Sequence, residues 1–416
     1  MTEFVNKGIL VIGGGILQKT TFDLCKKLSI TTFLVDSNSN CYSKKYADHF
    51  INIDFRDTSL LLNEAKVLKE KDLVHGVFTQ GADVEHIVAY LAKELNFHGM
   101  NYEAAMNCNN KLRCRKLLYD NNVDTTEYFS ATSKTELKNL LIDIDDSFFP
   151  CFIKPINNCA SRGVMRVLNK NELLESFDGA ADNNYGEKAV LVEKEIIGNE
   201  ISVDSIVING IVYPCGISDR KFMDKNKYAV QTGSVTPSSL SPMVQSEVYR
   251  VMQKAATTLK IDNGAFKGDL VIKANNEVGI IELAGRTSGG FDSQYRKPLS
   301  FGIDIIKAVL HLSLGIKVDF RDLIPKWSIW SSTFSVITEA GQISEIYGFD
   351  QCLKIKGVHK GFMTLKVGDN IKEMMDCAQR FNYFICFGAS LEELKRIETQ
   401  ITNTLKITII KKDIYL

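Results

Sequence analysis

This chain lacks an excess of either charge. Its 416 residues carry 50 Lys and Arg against 50 Asp and Glu, a formal net charge of zero. No basic field exists to draw in nucleic acid, and no long basic run suits a membrane surface. No apolar run approaches the length needed to cross a bilayer. The opening MTEFVNKGILVIGGG lacks the apolar segment and cleavage site of a signal peptide, so a cytoplasmic location is the default expectation. The 10 cysteines include no C-x-x-C pair, which argues against zinc and against a disulfide framework. The 6 histidines are scattered and give little support to a His-based nucleophilic triad. Internal repeats, low-complexity segments and long linkers are also missing.

What is present is ordinary for a soluble globular protein: 45% hydrophobic and 24% charged residues, in a length suited to two to four domains or subdomains. GILVI (8–12) ends in Gly13-Gly14-Gly15, a helical stretch follows, and TTFLVD (31–36) reads as the next strand. A further strand is expected over Val74–Thr79, then a helix with Ile87, Val88, Leu91 and Leu95 on one face. Residues 1–105 therefore read as a parallel α/β domain. Asp36 at the end of the second strand adds a Rossmann-like look, but Gln18 stands where G-x-G-x-x-G needs its last glycine. The loop and Asp83 are better read as the rim of a pocket at the strands' carboxyl ends. Residues 106–320 form a mixed second region with a lid over about 125–200, and its strands from Ile201 to Gly290 read as antiparallel, flanked by a helix at about 245–260. Residues 325–416 form a small α+β domain with a helix carrying Leu391, Leu394, Ile397 and Ile401 on one side.

The chemistry concentrates in DLVIKANNEVGIIELAGRTSGG (269–290). Asp269 lies on one strand and Glu282 on the next, with a turn at Asn275–Asn276 between them. The odd spacing would separate the two acids on a single strand, but a hairpin can bring them to one face. Arg286 and Gly289-Gly290 follow at once. Two converging carboxylates beside a guanidinium suit a divalent cation and a transferring phosphoryl group, although an ordinary polar-rimmed hairpin has the same pattern.

Other pieces stand upstream. Lys154 on an apolar strand must snorkel out or meet an anion. Lys111 near a helix start opposes the helix dipole unless an anion is close; plain exposure is the simpler reading. The loop NNCASRG (157–163), with Ser161 and Arg162, can close over phosphates or be a surface turn. In E-K-E-I-I-G-N-E (193–200) the two end acids could serve a purine amino group and a ribose diol, or mark a charged edge strand.

The order of these pieces resembles the ATP-grasp superfamily, in its carboxylate–amine ligase branch, and the set in that order is more specific than any one motif. Residues 76–99 resemble the pre-ATP-grasp domain of carbamoyl-phosphate-synthase-like proteins, and the C-terminal part resembles the small closing domain of amino-acid ligases. The resemblance implies a multidomain α/β and α+β chain: a Rossmann-like pre-ATP-grasp domain, an ATP-grasp domain with a mobile lid, and a small C-terminal α+β domain. It implies that Lys111 and Lys154 contact ATP phosphates under the loop 157–163 with Ser161. Glu193, Lys194 and the Ile196 backbone would hold adenine, and Glu200 the ribose. Asp269 and Glu282 would bind Mg²⁺, or Mn²⁺ in its place, and Arg286 would face an acyl phosphate. Gly289 and Gly290 would admit a substrate carboxylate, Arg220 (or Lys221) would add a phosphate contact, and Asp83, Glu85 and the 222–236 loop would edge the pocket. Ala284 stands where many members have a metal-binding Asn, and NNCASRG is poorer in glycine than is common.

The implied activity is an ATP- and Mg²⁺-dependent ligase that couples a small carboxylate, an amino acid for instance, to an amine through an acyl phosphate. The expected partners are small molecules, with a homodimer as the default assembly and no nucleic acid or membrane. The rivals are a carboxylase-like or purine-biosynthetic enzyme acting on bicarbonate or another carboxylate, a non-catalytic nucleotide-binding protein, and a Rossmann oxidoreductase.

Overall fold

A computed structural model of the protein describes residue 4, residues 6–223 and residues 227–410. The segment 224–226 of the loop expected to edge the pocket lies outside them. The N-terminal sheet has four parallel strands in the order His49–Ile51, Thr31–Val35, Gly8–Ile12, Val77–Phe78. Gly8–Ile12 is buried throughout, as a strand covered on both faces must be. Leu10 and Ile12 pack toward Leu61, Ala65, Ile87 and Leu91. Ile9 and Val11 face the other way, toward Phe22, Cys25, Ile306 and Leu310. The helix Ile305–Ser313, far along the chain, thus closes one side of this first sheet. The strand expected over Val74–Thr79 is only Val77–Phe78. Before it the chain holds on by single bonds, such as His75 N–H to Gly8 O at 2.8 Å.

The region expected to form a lid holds a four-stranded antiparallel sheet in the order Tyr128–Ala131, Val190–Lys194, Cys151–Pro155, Met165–Val167. Its core includes Leu137, Leu173 and Phe177 from two helices, Lys134–Leu140 and Lys170–Ala181.

The largest sheet has eight strands, in the order Val278–Ala284, Gly264–Ile272, Asn199–Ile208, Ile211–Phe222, Gln231–Thr236, Trp330–Phe334, Asn382–Gly388, Val358–Met363. All its pairings are antiparallel. The sequence suggested a break near residue 325, yet Gln231–Thr236 pairs directly with Trp330–Phe334. Backbone pairing does not register composition, so a sheet can run through a change of pattern. The helix Pro242–Thr258 lays Val244, Val248, Val251, Met252 and Ala255 on one face against this sheet. Ser241 caps it, its side chain accepting from Val244 N–H, and Pro242 sits in the first turn where its missing N–H costs nothing. A small three-stranded sheet, Asn370–Ile371, Gly341–Tyr347 and Lys406–Ile410, completes the C-terminal part. Among the described residues no helix is long and apolar enough to cross a membrane.

Candidate active site

The hairpin decides the carboxylate pair. Asn276 takes a positive φ of 63°, and its N–H returns to Lys273 O at 2.9 Å. Asp269 and Glu282 then stand as direct cross-strand partners, beside a register shift. Directly opposed residues of an antiparallel pair share a face. The spacing that separates them on one strand is thus reversed by the turn.

Both acids are surrounded by cations. Lys267, two residues before Asp269 on the same strand face, places Nζ 2.6 Å from Asp269 Oδ2. Arg220 Nη1 lies 3.5 Å from the same oxygen and 3.1 Å from Glu200 Oε2. Burial alone would raise the Asp269 pKa, but Arg220 and Lys267 hold it well below the usual carboxylate range. Lys111 Nζ is 2.8 Å from Glu282 Oε1 and also donates to the Asn158 carbonyl. Asn110 caps the Lys111–Asp120 helix through Arg113 N–H at 2.9 Å, which fixes Lys111 in the first turn. The burial of Lys111 works against its charge, but Glu282 more than restores it and its pKa is raised.

Glu193, expected to hold adenine, sits in a buried ion-pair network. Its carboxylate is buried and fully engaged: Arg115 Nε bonds one oxygen, and Lys154 Nζ lies 2.5 Å from the other. Arg115 also donates to Asp124 Oδ1 at 2.8 Å and to the Ile280 carbonyl. Burial would raise the Glu193 pKa, yet Arg115 and Lys154 bring it below its usual range. A carboxylate spent on two cations is a poor acceptor for a base's amino group; here it orients Lys154, whose other N–H groups remain for an anion. Lys194 turns its side chain out to Glu127, with 2.8 Å between the charges. Glu193, Lys194, Ile196 and Glu200 nonetheless line one cavity with Lys111, Lys154, Ser161, Arg220, Asp269 and Glu282.

A second cavity, about 340 Å³, meets the first at Cys159, Ser161, Arg220, Asp269 and Glu282. Arg286, Asp83, Gly289 and Gly290 line it. Arg286 grips Asp83 Oδ1 through Nε and Nη2 at 2.8 and 2.6 Å, and donates to Thr287 O at 2.9 Å. Burial opposes the Asp83 charge, but Arg286 outweighs it and keeps the carboxyl ionised below its usual pKa. Gly290 has φ of 63°, and a Cβ there would meet nothing within 4 Å. Backbone geometry, not crowding by the protein, is therefore what calls for glycine at this wall. Beneath it Ser288 Oγ donates to Asp204 Oδ1, and the buried Lys297 donates to Ser218 Oγ at 2.7 Å.

A third cavity, about 400 Å³, lies on the other side of Lys111 and Glu282. Asp83, Glu85 and His86 line it. Glu85 Oε2 and His86 Nδ1 are buried without hydrogen-bond partners. Burial, helped by the Asp83 charge, raises the Glu85 carboxyl to about 7.

The phosphate-loop candidate is docked on the C-terminal part. Ala160 and Ser161 have positive φ, 58° and 62°. Cys377 N–H bonds Ala160 O at 3.0 Å, and Cys377 Sγ lies 3.8 Å from Ser161 Oγ. Sequence reasoning missed Cys377, Arg115, Lys267 and Arg380. Two of these had a signal: Arg115 is one helical turn from Lys111, and Lys267 is one strand repeat from Asp269. Cys377 and Arg380 had none.

The N-terminal glycine loop behaves differently. Asp36 Oδ2 accepts from Gly14 N–H at 2.7 Å, and Ser43 N–H bonds Gly14 O at 2.8 Å. A Cβ on Gly14 would fall 2.5 Å from Cys41 Sγ. The Rossmann-like acid is spent on its own loop, and Cys41–Ser43 cover it.

Residues 147–294 match the ATP-grasp domain family, and residues 333–409 match the L-amino acid ligase C-terminal domain 2. The chain contains an ATP-grasp domain. It is 26% identical over 202 residues to a formate-dependent phosphoribosylglycinamide formyltransferase of Prochlorococcus marinus (strain MIT 9515), covering 46% of this chain and 48% of the relative. It is 24% identical over 286 residues to an alanine–anticapsin ligase of Bacillus subtilis, covering 62% and 59%. The chain thus spans about half the length of these curated relatives. The L-amino acid ligase structure from Bacillus licheniformis superposes with a TM-score of 0.83 over 97% of this chain and 99% of that one, at 18% identity. At that identity the likeness shows the fold alone, across nearly the whole length of the chain.

Proposed function

We propose that this chain, with its ATP-grasp domain, is an ATP-dependent carboxylate–amine ligase. The observation that carries the reading is the Asp269–Glu282 cross-strand pair, set between the Lys111–Lys154 side of the cleft and Arg286. ATP is the phosphoryl donor. Its triphosphate lies toward Lys111, Lys154 and the 157–163 loop, and its base toward Lys194–Ile196. The cavity there is about 100 Å³, below the roughly 300–1,000 Å³ usual for ligand sites. The lid sheet carrying Lys154 and Glu193 therefore swings outward as the nucleotide enters.

The donor set fits a divalent cation. Asp269 Oδ1 is buried with no hydrogen bond of good geometry, although Ser202 is near. Among the described residues the two acids belong to no cluster of three or more His, Cys, Asp or Glu. This suits Mg²⁺, which completes its shell with water and phosphate oxygens. Asp269 and Glu282 would hold it, and it would neutralise charge on the transferring phosphoryl group.

The acid substrate's carboxylate oxygen takes the γ-phosphoryl group and ADP leaves. The amine then attacks the acyl carbon, the C–O bond to phosphate breaks, and the nitrogen gives up a proton. Arg286, kept ionised by Asp83, faces the negative charge that develops on the acyl oxygen. Glu85 lines the cavity on the far side of Lys111 with an unspent oxygen and a pKa near neutrality, suited to orient the amine and accept its proton. The docked 157–163 loop limits the access of water to the acyl phosphate.

The test is a phosphate-release screen of carboxylates crossed with amines, with mass spectrometry of the products. The reading expects release that needs both an acid and ATP, and an amide as product. Release driven by bicarbonate alone would assign the site to carboxylase-like chemistry instead. Full activity in both Glu282→Gln and Arg286→Ala would remove the proposed site.

A further inference from the structure

The cations of the 340 Å³ cavity are unevenly compensated. Arg286 has Asp83, Lys267 has Asp269, and Arg220 lies between Glu200 and Asp269. Two arginines of the same cavity have no carboxylate within ion-pair distance among the described residues: Arg162, whose Nη1 donates to Cys159 Sγ at 3.4 Å, and Arg380, from the C-terminal part. Arg380 Nε donates to the Cys377 carbonyl at 3.1 Å, and its guanidinium lies 5.2 Å from the Tyr383 ring centroid. Those contacts fix the group while leaving both terminal nitrogens unspent. Tyr383 packs edge-on to Phe291 at 5.2 Å, and Phe291 stacks on Phe362 at 4.5 Å, so the arginine sits against a rigid aromatic wall. A half-buried, pre-oriented guanidinium fork with no internal anion is built for bidentate recognition of a planar or tetrahedral oxyanion.

We infer that the acid substrate is a dianion, and that Arg380 binds its distal carboxylate or phosphate while the proximal carboxylate is activated at Asp269, Glu282 and Arg286. This rests on the ligase reading above and narrows its substrate class. Arg286 and Arg380 line one cavity from different parts of the chain, Arg286 just after the hairpin and Arg380 in the C-terminal part. A small acid with a charged group at each end could engage both. A neutral tail would leave Arg380 desolvated against the aromatic wall without a partner, which is the penalty that creates selectivity.

The experiment compares L-glutamate, L-aspartate and O-phospho-L-serine with L-glutamine and L-asparagine. The readouts are ADP release with a fixed amine and calorimetric binding of each acid to the full chain. The expected result is kcat/KM and affinity about 100-fold higher for the dianions, carried mainly by KM. Better binding of phosphoserine than glutamate identifies the distal group as phosphate, and the reverse identifies carboxylate. Arg380→Ala should raise KM for the dianion about 100-fold, and Arg380→Lys should restore part of it. Arg380→Glu should turn the preference toward L-lysine, a gain that a merely structural role does not produce. Equal binding of charged and neutral tails by the native protein, or an unchanged preference in Arg380→Glu, overturns the inference. ADP release with neutral-tailed acids only overturns it while leaving the ligase reading intact. Dianion binding without ADP release from any acid would support the anion site and count against the ligase.

Discussion

Two places in this chain combine a carboxylate with a run of glycine. At the first, Asp36 faces Gly13-Gly14-Gly15; at the second, Asp269 and Glu282 precede Gly289-Gly290. The first is closed on itself, because Gly14 N–H, Ser43 and Cys41 take up the space and the hydrogen bonds a ligand would use. The second opens on two cavities and keeps a buried carboxylate oxygen unspent. A pattern of residue types marks where chemistry can be placed. Whether the polar groups are already satisfied by the protein decides whether it is.

That contrast can be broken or sharpened by substitution. The largest expected effect is at the open site: Arg286→Ala should lower ADP release about 1,000-fold in steady-state assays while circular dichroism stays native. Retained turnover would place the developing charge elsewhere. Next is the buried network between the two extremes. Glu193→Gln leaves Lys154 buried without its anion and Arg115 with Asp124 alone, and urea denaturation should record a loss of roughly 3–5 kcal/mol. A neutral outcome would mean that the lid sheet is hydrated in solution.

Glu85 should give a smaller, pH-dependent effect. Burial raises its folded pKa to about 7 from the usual 4.5. The folded protein therefore holds this proton more tightly than the unfolded chain. The stabilisation is fully present below about pH 4.5 and is lost as pH rises through about 7. Between pH 5 and pH 8 the native protein should lose about 1–3 kcal/mol more than Glu85→Gln does. Parallel pH profiles for the two proteins would show that Glu85 stays hydrated. The smallest effect is expected at the closed site. Asp36→Ala should cost about 1 kcal/mol by thermal denaturation, with ADP release intact. NAD(H) should not raise the melting temperature of either protein, whereas ATP with Mg²⁺ should raise that of the native one. Protection by NAD(H) would reopen the Rossmann reading.

Much of the architecture was legible from local pattern. Gly8–Ile12 and Thr31–Val35 announced a parallel sheet through a strand, glycine loop, helix and strand in succession, and the helix expected at about 245–260 is Pro242–Thr258. The strand at Val77–Phe78 was overestimated because apolar content does not say where regular pairing begins. The continuity of the large sheet through Trp330–Phe334 was invisible, since partners almost 100 residues apart leave no periodic trace. Lys111, Asp269, Glu282 and Arg286, picked out by order and spacing, are brought to adjoining cavities by the fold. The ion pairs of Glu193 were not legible, because its partner Arg115 lies on a helix 78 positions away.

The sequence alone settled which residue types are available and where along the chain they stand. It also settled the local turns and caps that fix Lys111 at a helix start and bring the strand of Asp269 back toward Glu282. Only the tertiary structure decided which charges neutralise one another. Asp36 and Glu193 were consumed by partners in the fold, while Asp269 Oδ1, Glu85 Oε2 and the Arg380 fork were left for something else. Charge compensation acts over a few ångströms of space, and distance along the chain does not encode it.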